Sequence, residues 1–202
     1  MLCGSGCKDA HEELLALAGR LKAPIVDTLR GKERVEWGNP FDDGMTGLIG
    51  FSSGYYAMFD CDVLLMLGTD LPYRKSYPYG RGVQIAQVDV KPEHLWLRAP
   101  IDLGIVGDVR KRIRELLPLP GEARDSTHLD LAREHYVASC KALDDLAVGS
   151  SRRPLIHLQQ VAKTISEQAR LRGLGQYPDP PVRLLAPATR RPDIFLPRRT
   201  DF

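Results

Sequence analysis

The stretch Asp62-Val63-Leu64-Leu65-Met66-Leu67-Gly68-Thr69-Asp70-Leu71-Pro72, residues 62–72, decides the fold. Its first half is a continuous apolar run of strand length, the pattern of a strand covered on both faces. Its second half is a polar turn carrying a glycine and a proline, which stops the strand. A strand buried on both faces belongs to a parallel sheet wrapped by helices. In such sheets ligands bind outside the carboxyl ends of the strands.

Working outward, Lys8 to Leu21 predicts an amphipathic helix with Leu14, Leu15, Leu17, Ala18 and Leu21 on one face. Pro24 to Thr28 is strand-like. Residues 36–50 hold Gly38, Asn39, Pro40, Gly44 and Gly47 and read as a long loop, with Asp42-Asp43 as loop charges. Ser52 to Phe59 predicts a short helix. Downstream, Val83 to Val90 and Leu103 to Val106 predict two more strands. Asp108 is a natural N-cap for a helix from Val109 to Leu117, which Pro118 and Pro120 stop. Thr127 to Ala147 reads as a long helix, with Asp144-Asp145 on its surface, and Ile156 to Arg170 as a shorter one. Strands alternating with helices predict an α/β domain, a Rossmann-like parallel sheet flanked by helices.

The chain has 202 residues and a formal net charge of +2. That charge divides unevenly. Residues 170–202 hold seven Arg and three Asp, and also six of the 15 prolines, while residues 1–169 are mildly acidic. Prolines at that density stop helices and ladders, so 171–202 is expected to be a disordered tail. Its arginines are scattered and match no nucleic-acid motif, so no nucleic-acid partner is expected. No apolar run approaches the roughly 18 residues of a membrane span, and none is expected to bind a membrane. Four cysteines without a CxxC pair, and no signal-peptide pattern at Met1-Leu2-Cys3-Gly4, suit a reducing cytoplasm. The five histidines lack metal-ligand spacing, and no GxSxG occurs. The residues therefore offer no catalytic set and no metal site.

Three points could hold a ligand. Gly4-Ser5-Gly6 precedes a helix, as in a phosphate-binding turn, though a simple tight turn has the same pattern. Gly68-Thr69-Asp70-Leu71-Pro72 follows the most apolar strand. Asp89 ends the strand that begins at Val83; its carboxylate could accept from a ribose or cap a turn.

Specific motifs then appear in order. Arg30-Gly31-Lys32-Glu33, Asn39-Pro40-Phe41-Asp42-Asp43-Gly44-Met45-Thr46-Gly47-Leu48-Ile49-Gly50-Phe51-Ser52-Ser53-Gly54, Leu67-Gly68-Thr69-Asp70-Leu71-Pro72-Tyr73-Arg74 and Gln87-Val88-Asp89-Val90-Lys91-Pro92 closely resemble the central domain of thiamine-diphosphate-dependent enzymes. The branch most similar is pyruvate oxidase / pyruvate dehydrogenase (quinone), which oxidises pyruvate to acetate and CO2 and passes electrons through FAD to a quinone. The resemblance runs from Cys3 to about Arg170. It implies FAD as cofactor, with Met45, Thr46, Gly47, Leu48, Gly68, Thr69, Asp70, Leu71 and Pro72 lining it and Asp89 holding its adenosine end. Arg30 and Gly31 are implied as further contacts, and Gly4 and Gly6 match the family's first turn.

The resemblance also implies an organisation. Residues 1–121 correspond to the central FAD domain, 122–153 to an interdomain helix and linker, and 154–170 to the start of a pyrophosphate-binding domain. Met1-Leu2-Cys3 correspond to the end of a longer first strand, so that strand is expected to be truncated. Thiamine diphosphate and Mg2+ are held in the family by the two flanking domains, and no Gly-Asp-Gly occurs here. The chain alone is therefore expected to lack turnover, and full-length subunits of a homotetrameric enzyme are the expected partners. An acetolactate synthase-like central domain binding ADP or FAD is the alternative within the superfamily. A non-catalytic interaction fragment, or a truncated product without function, is the alternative outside it.

Overall fold

The computed structural model describes residues 1–78, 80, 82–147 and 156–171. In chain order the elements are β1 (Leu2–Cys3), α1 (His11–Leu21), β2 (Ile25–Asp27), α2 (Lys32–Val35), β3 (Asp42–Met45), α3 (Ser52–Phe59), β4 (Val63–Leu67), β5 (Gln84–Asp89), β6 (Leu103–Val106), α4 (Val109–Leu116), α5 (Thr127–Ala147) and α6 (Leu158–Leu171). The six strands form one parallel sheet in the order β3-β2-β1-β4-β5-β6. This is the Rossmann-like α/β architecture that the apolar run predicts.

The period-2 alternation of strands sorts the run onto two faces. Leu64 and Met66 join Leu2, Val26 and Ile85 in a core beneath α3 and Ala132 of α5. Leu67 joins Cys3, Ile25 and Val88 in a second core beneath α1 and α4. Cys3 and Cys7 are fully buried small residues. β1 contributes only two residues yet lies at the middle of the sheet. Leu2 registers with Val26 and Met66, and Cys3 with Asp27 and Leu67. Its start is tied to β2: the Val26 N–H donates to the Met1 carbonyl at 2.8 Å, and the terminal ammonium donates to Pro24 O at 2.7 Å.

Helix ends follow local chemistry. α1 starts at His11, three residues later than the periodicity suggests, because Ser5–Cys7 form a 3-10 turn and Asp9 has φ +61°. A left-handed residue cannot continue an α-helix. Lys22, at φ 50°, ends α1, with its N–H on Ala18 O. Asp108 caps α4 as expected, accepting the Lys111 N–H at 3.0 Å.

Residues 36–50 are not simply a loop. They contain β3, and α2 precedes them. Asp42 and Asp43 are 3% and 0% exposed, so they are buried strand residues rather than loop charges. The cause is tertiary. β3 pairs with β2 through Ile25↔Asp42 and Asp27↔Met45, and this ladder overrides the weak strand propensity of Asp-Asp-Gly. The second acidic pair does lie on a helix: Asp144 of α5 meets Lys163 of α6 at 3.4 Å, both about half-exposed. The expected disordered tail lies outside the described residues apart from Leu171, as does the linker stretch 148–155.

Candidate functional site

The strand order reverses direction between β1 and β4, and a doubly wound sheet opens its ligand crevice at such a point. Here the turns leaving the two strands press together. The Gly4 N–H donates to Leu67 O, and the Gly6 N–H to Gly68 O, both at 3.0 Å. Gly68 has φ +56°, which glycine adopts without a steric cost. Above this floor lies a cavity of about 690 Å³, walled by the carboxyl ends of β3, β2, β1, β4 and β5 and by the start of α4.

Most of the residues singled out in the sequence meet there. Met45, Thr46, Leu48, Gly68, Thr69, Asp70, Leu71, Pro72 and Asp89 all line the cavity, as do Arg30 and Gly6. Gly47 lies behind the wall. Its φ of +112° makes the turn after β3, and a Cβ there would come within 3.2 Å of the Tyr73 ring. Gly31 and Gly4 also stand back from the cavity; the Gly31 N–H bonds the Thr28 hydroxyl at 3.2 Å. Ile49, Tyr73 and Lys91 lie within the sequence motifs and also line the cavity, whereas Thr28, Leu29 and His94 are lining residues that sequence reasoning did not single out. They sit one or two positions beyond a strand end or a recognised motif, which is the only signal that could have found them.

The cavity has two chemical ends. Over β3 and β2 the wall is mostly apolar, with Met45, Leu48, Ile49, Leu29 and Tyr73 beside the polar Thr28, Arg30 and Thr46, and Leu48 is 79% exposed. Over β5 it is polar and charged: Asp89, Lys91 and His94. Asp89 Oδ1 accepts the Lys91 N–H at 2.9 Å, and Oδ2 lies 3.3 Å from His94 Nδ1. Asp89 therefore does cap a turn. Asp70 is held by Arg98 at 3.2 Å. Thr46 Oγ1 is buried at the apolar end and has no hydrogen-bond partner among the described residues. A buried hydroxyl left unpaired costs about 1–3 kcal/mol, so the site is better satisfied with a polar ligand atom beside it. An elongated ligand with one aromatic and one polar end, such as a flavin dinucleotide, fits this arrangement.

Beneath the β2 and β3 end lie three buried carboxyls. Burial raises Asp27 well above the ordinary carboxylate range, and Asp42 adds to it; neither Asp27 oxygen has a partner among the described residues. Burial and then Glu36 push Asp42 up to about 6, against Lys32 and the Gly44 N–H. Burial and then Asp42 push Asp43 up to about 8, against Arg133 and the terminal ammonium. Among the described residues no group of His, Cys, Asp and Glu side chains could hold a metal ion, and no helix is long and apolar enough to cross a membrane.

Comparison with known proteins gives the same frame. The sequence profile described as thiamine pyrophosphate enzyme, central domain, matches residues 1–116. A 42.6 kDa protein of Pseudomonas amyloderamosa is 55% identical over 150 residues, 74% of this chain and 37% of that protein. A Bacillus subtilis protein named as a putative thiamine pyrophosphate-containing protein, YdaP, is 38% identical, over 67% of this chain and 23% of its own length. A protein of Methanocaldococcus jannaschii named as a probable acetolactate synthase large subunit is 33% identical, over 58% of this chain and 21% of its own. The chain thus spans between a fifth and two fifths of these relatives' lengths. With a profile match across more than half its residues, the chain belongs to the thiamine pyrophosphate enzyme family and carries that family's central domain.

Proposed function

We propose that this chain is the FAD-binding central domain of a thiamine-diphosphate-dependent pyruvate oxidoreductase, which oxidises pyruvate to acetate and CO2 and passes electrons through FAD to a quinone. The observation that carries the reading is the cavity itself. It crosses the ends of five adjacent strands, about 19 Å at ordinary strand spacing, a length that suits a dinucleotide better than a mononucleotide. Met45, Thr46, Leu48, Leu71 and Pro72 would hold the flavin end. Gly68, Thr69 and Asp70 would lie against the middle, where bare backbone lets a diphosphate approach. Asp89 and its neighbours would hold the adenosine end. FAD bound there supplies a two-electron acceptor.

Thiamine diphosphate, Mg2+ and the partner subunits belong in this reading to the full-length enzyme. A second reading rests on the relative named as an acetolactate synthase: the same cavity then holds FAD or ADP with no net electron transfer. Thermal melts of the purified chain with FAD, ADP and no ligand test the proposal. A ligand that binds only the native state raises stability by about 2.7 kcal/mol at a hundredfold excess over its dissociation constant. The flavin reading expects FAD to raise the midpoint well beyond ADP. Equal shifts favour the second reading, and a cooperative melt moved by neither contradicts both.

A further inference from the structure

We propose that Gln87 is a positioning residue of the cavity: its side-chain amide ties the turn after β4 to the turn after β5 and fixes the spacing of these two walls before a ligand arrives. This rests on the reading of the cavity as the ligand site, although Gln87 itself stands behind the lining. The strand period puts Gln87 on the same face of β5 as Ile85, which belongs to the core beneath α3, and it registers with Met66 of β4. It is 2% exposed. An apolar side chain would suit that position, and an amide left unbonded there would be costly. Where its bonds go therefore says what it is for.

Gln87 Nε2 donates to Thr69 O at 3.4 Å and to His94 O at 3.2 Å. A primary amide carries two N–H donors on one nitrogen, so a single group serves both carbonyls. Thr69 belongs to the turn that leaves β4, and His94 to the 3-10 turn Pro92–His94 that follows β5. Both residues line the cavity. The next two wall residues are braced in other ways. Tyr77, 1% exposed, gives its O–H to Leu71 O at 2.8 Å, a bond that closes the first turn on itself. Arg98 reaches Asp70 at 3.2 Å, but both side chains are one-third exposed, and water weakens such a pair. Gln87 makes the link between the two turns that is shielded from water.

Amide hydrogen exchange of the ligand-free chain, read beside FAD titration, tests the assignment. Gln87→Met keeps length and burial but has no N–H to give. It is expected to speed exchange about tenfold in both residues 69–77 and residues 91–95, while β1 and α1 keep their protection. FAD affinity is expected to fall about five- to tenfold, the worth of one hydrogen bond. Tyr77→Phe is expected to loosen residues 69–77 alone. Gln87→Glu sets a carboxylate against two carbonyls. It is expected to match Gln87→Met at neutral pH and to regain FAD affinity as pH falls and the protonated carboxyl donates to one of them, a recovery that Gln87→Met does not show. If Gln87→Met does not melt cooperatively, Gln87→Glu across that pH range takes its place. Exchange that rises in one segment only, or evenly across the sheet, overturns the proposal, as does an FAD affinity that neither variant changes. Failure of the unaltered chain to bind FAD instead overturns the cavity reading beneath it, and the exchange pattern then still decides the link between the turns.

Discussion

Gly6 and Gly68 pack backbone to backbone across the switch point of the sheet: a Cβ on Gly6 would come within 2.7 Å of Gly68 Cα, and a Cβ on Gly68 within 2.5 Å of Gly6 Cα. Neither neighbour is a movable side-chain tip, so alanine at either position must separate the turns that follow β1 and β4. Gly68→Ala also places a side chain at φ +56°, costing about 1–2 kcal/mol before any clash. Both variants are expected to lose at least about 2 kcal/mol in denaturant unfolding, with Gly68→Ala the worse. Losses below about 0.5 kcal/mol would show that the turns are not locked.

Thr46→Val tests the orphaned hydroxyl. Valine has nearly the same shape and removes a buried polar atom that has no partner in the ligand-free fold. The melt without ligand is expected to stay level or rise, while FAD affinity falls about fivefold. A lower ligand-free melt would mean that the hydroxyl serves the fold and not the cofactor.

The buried carboxyls set a pH dependence of definite sign. Asp42 and Asp43 are raised to about 6 and about 8 in the folded chain, whereas an unfolded aspartate titrates at about 3.9. The folded state therefore binds more protons between these values, and stability falls as pH rises. The contribution is full below about pH 4 and gone above about pH 8. Asp43→Asn keeps the neutral shape. It is expected to flatten this fall and to raise the melting midpoint at about pH 8. Unfolding curves at several pH values with the same slope for both proteins would contradict it.

Glu13 contributes with the opposite sign. Burial alone would raise its carboxyl, but hydrogen bonds from Arg110 at 2.8 Å and Arg114 at 2.9 Å outweigh that and lower it. The clamp joins α1 to α4, and its stability is lost as pH falls through the lowered value. Glu13→Gln is expected to cost about 1 kcal/mol at neutral pH, less at high salt, because both arginines are solvent-exposed. A cost that salt does not change would place the effect in packing.

Strands with apolar periodicity were legible in the sequence almost to the residue. The strand Val63 to Leu67 lies where the apolar run puts it, because burial writes itself into side-chain type, and the helix Ser52 to Phe59 also lies where the sequence places it. β3 was not legible, since Asp42, Asp43 and Gly44 read as a loop until the ladder with β2 is known. At the site, glycines and strand ends were readable as a family pattern, and Met45, Thr46 and Asp70 do meet in one cavity. The closeness of Asp89 and His94 was not. It depends on a turn that folds residue 94 back over residue 89, and a lone histidine carries no periodic signal.

The central claim, a dinucleotide cavity over β3 to β5, is met most directly by equilibrium titration of FAD into the purified chain, followed by flavin fluorescence with ADP as competitor. The account predicts saturable binding at one FAD per chain, displaced by ADP, with FMN much weaker. A chain that melts cooperatively yet leaves FAD fluorescence unchanged at every concentration would contradict it.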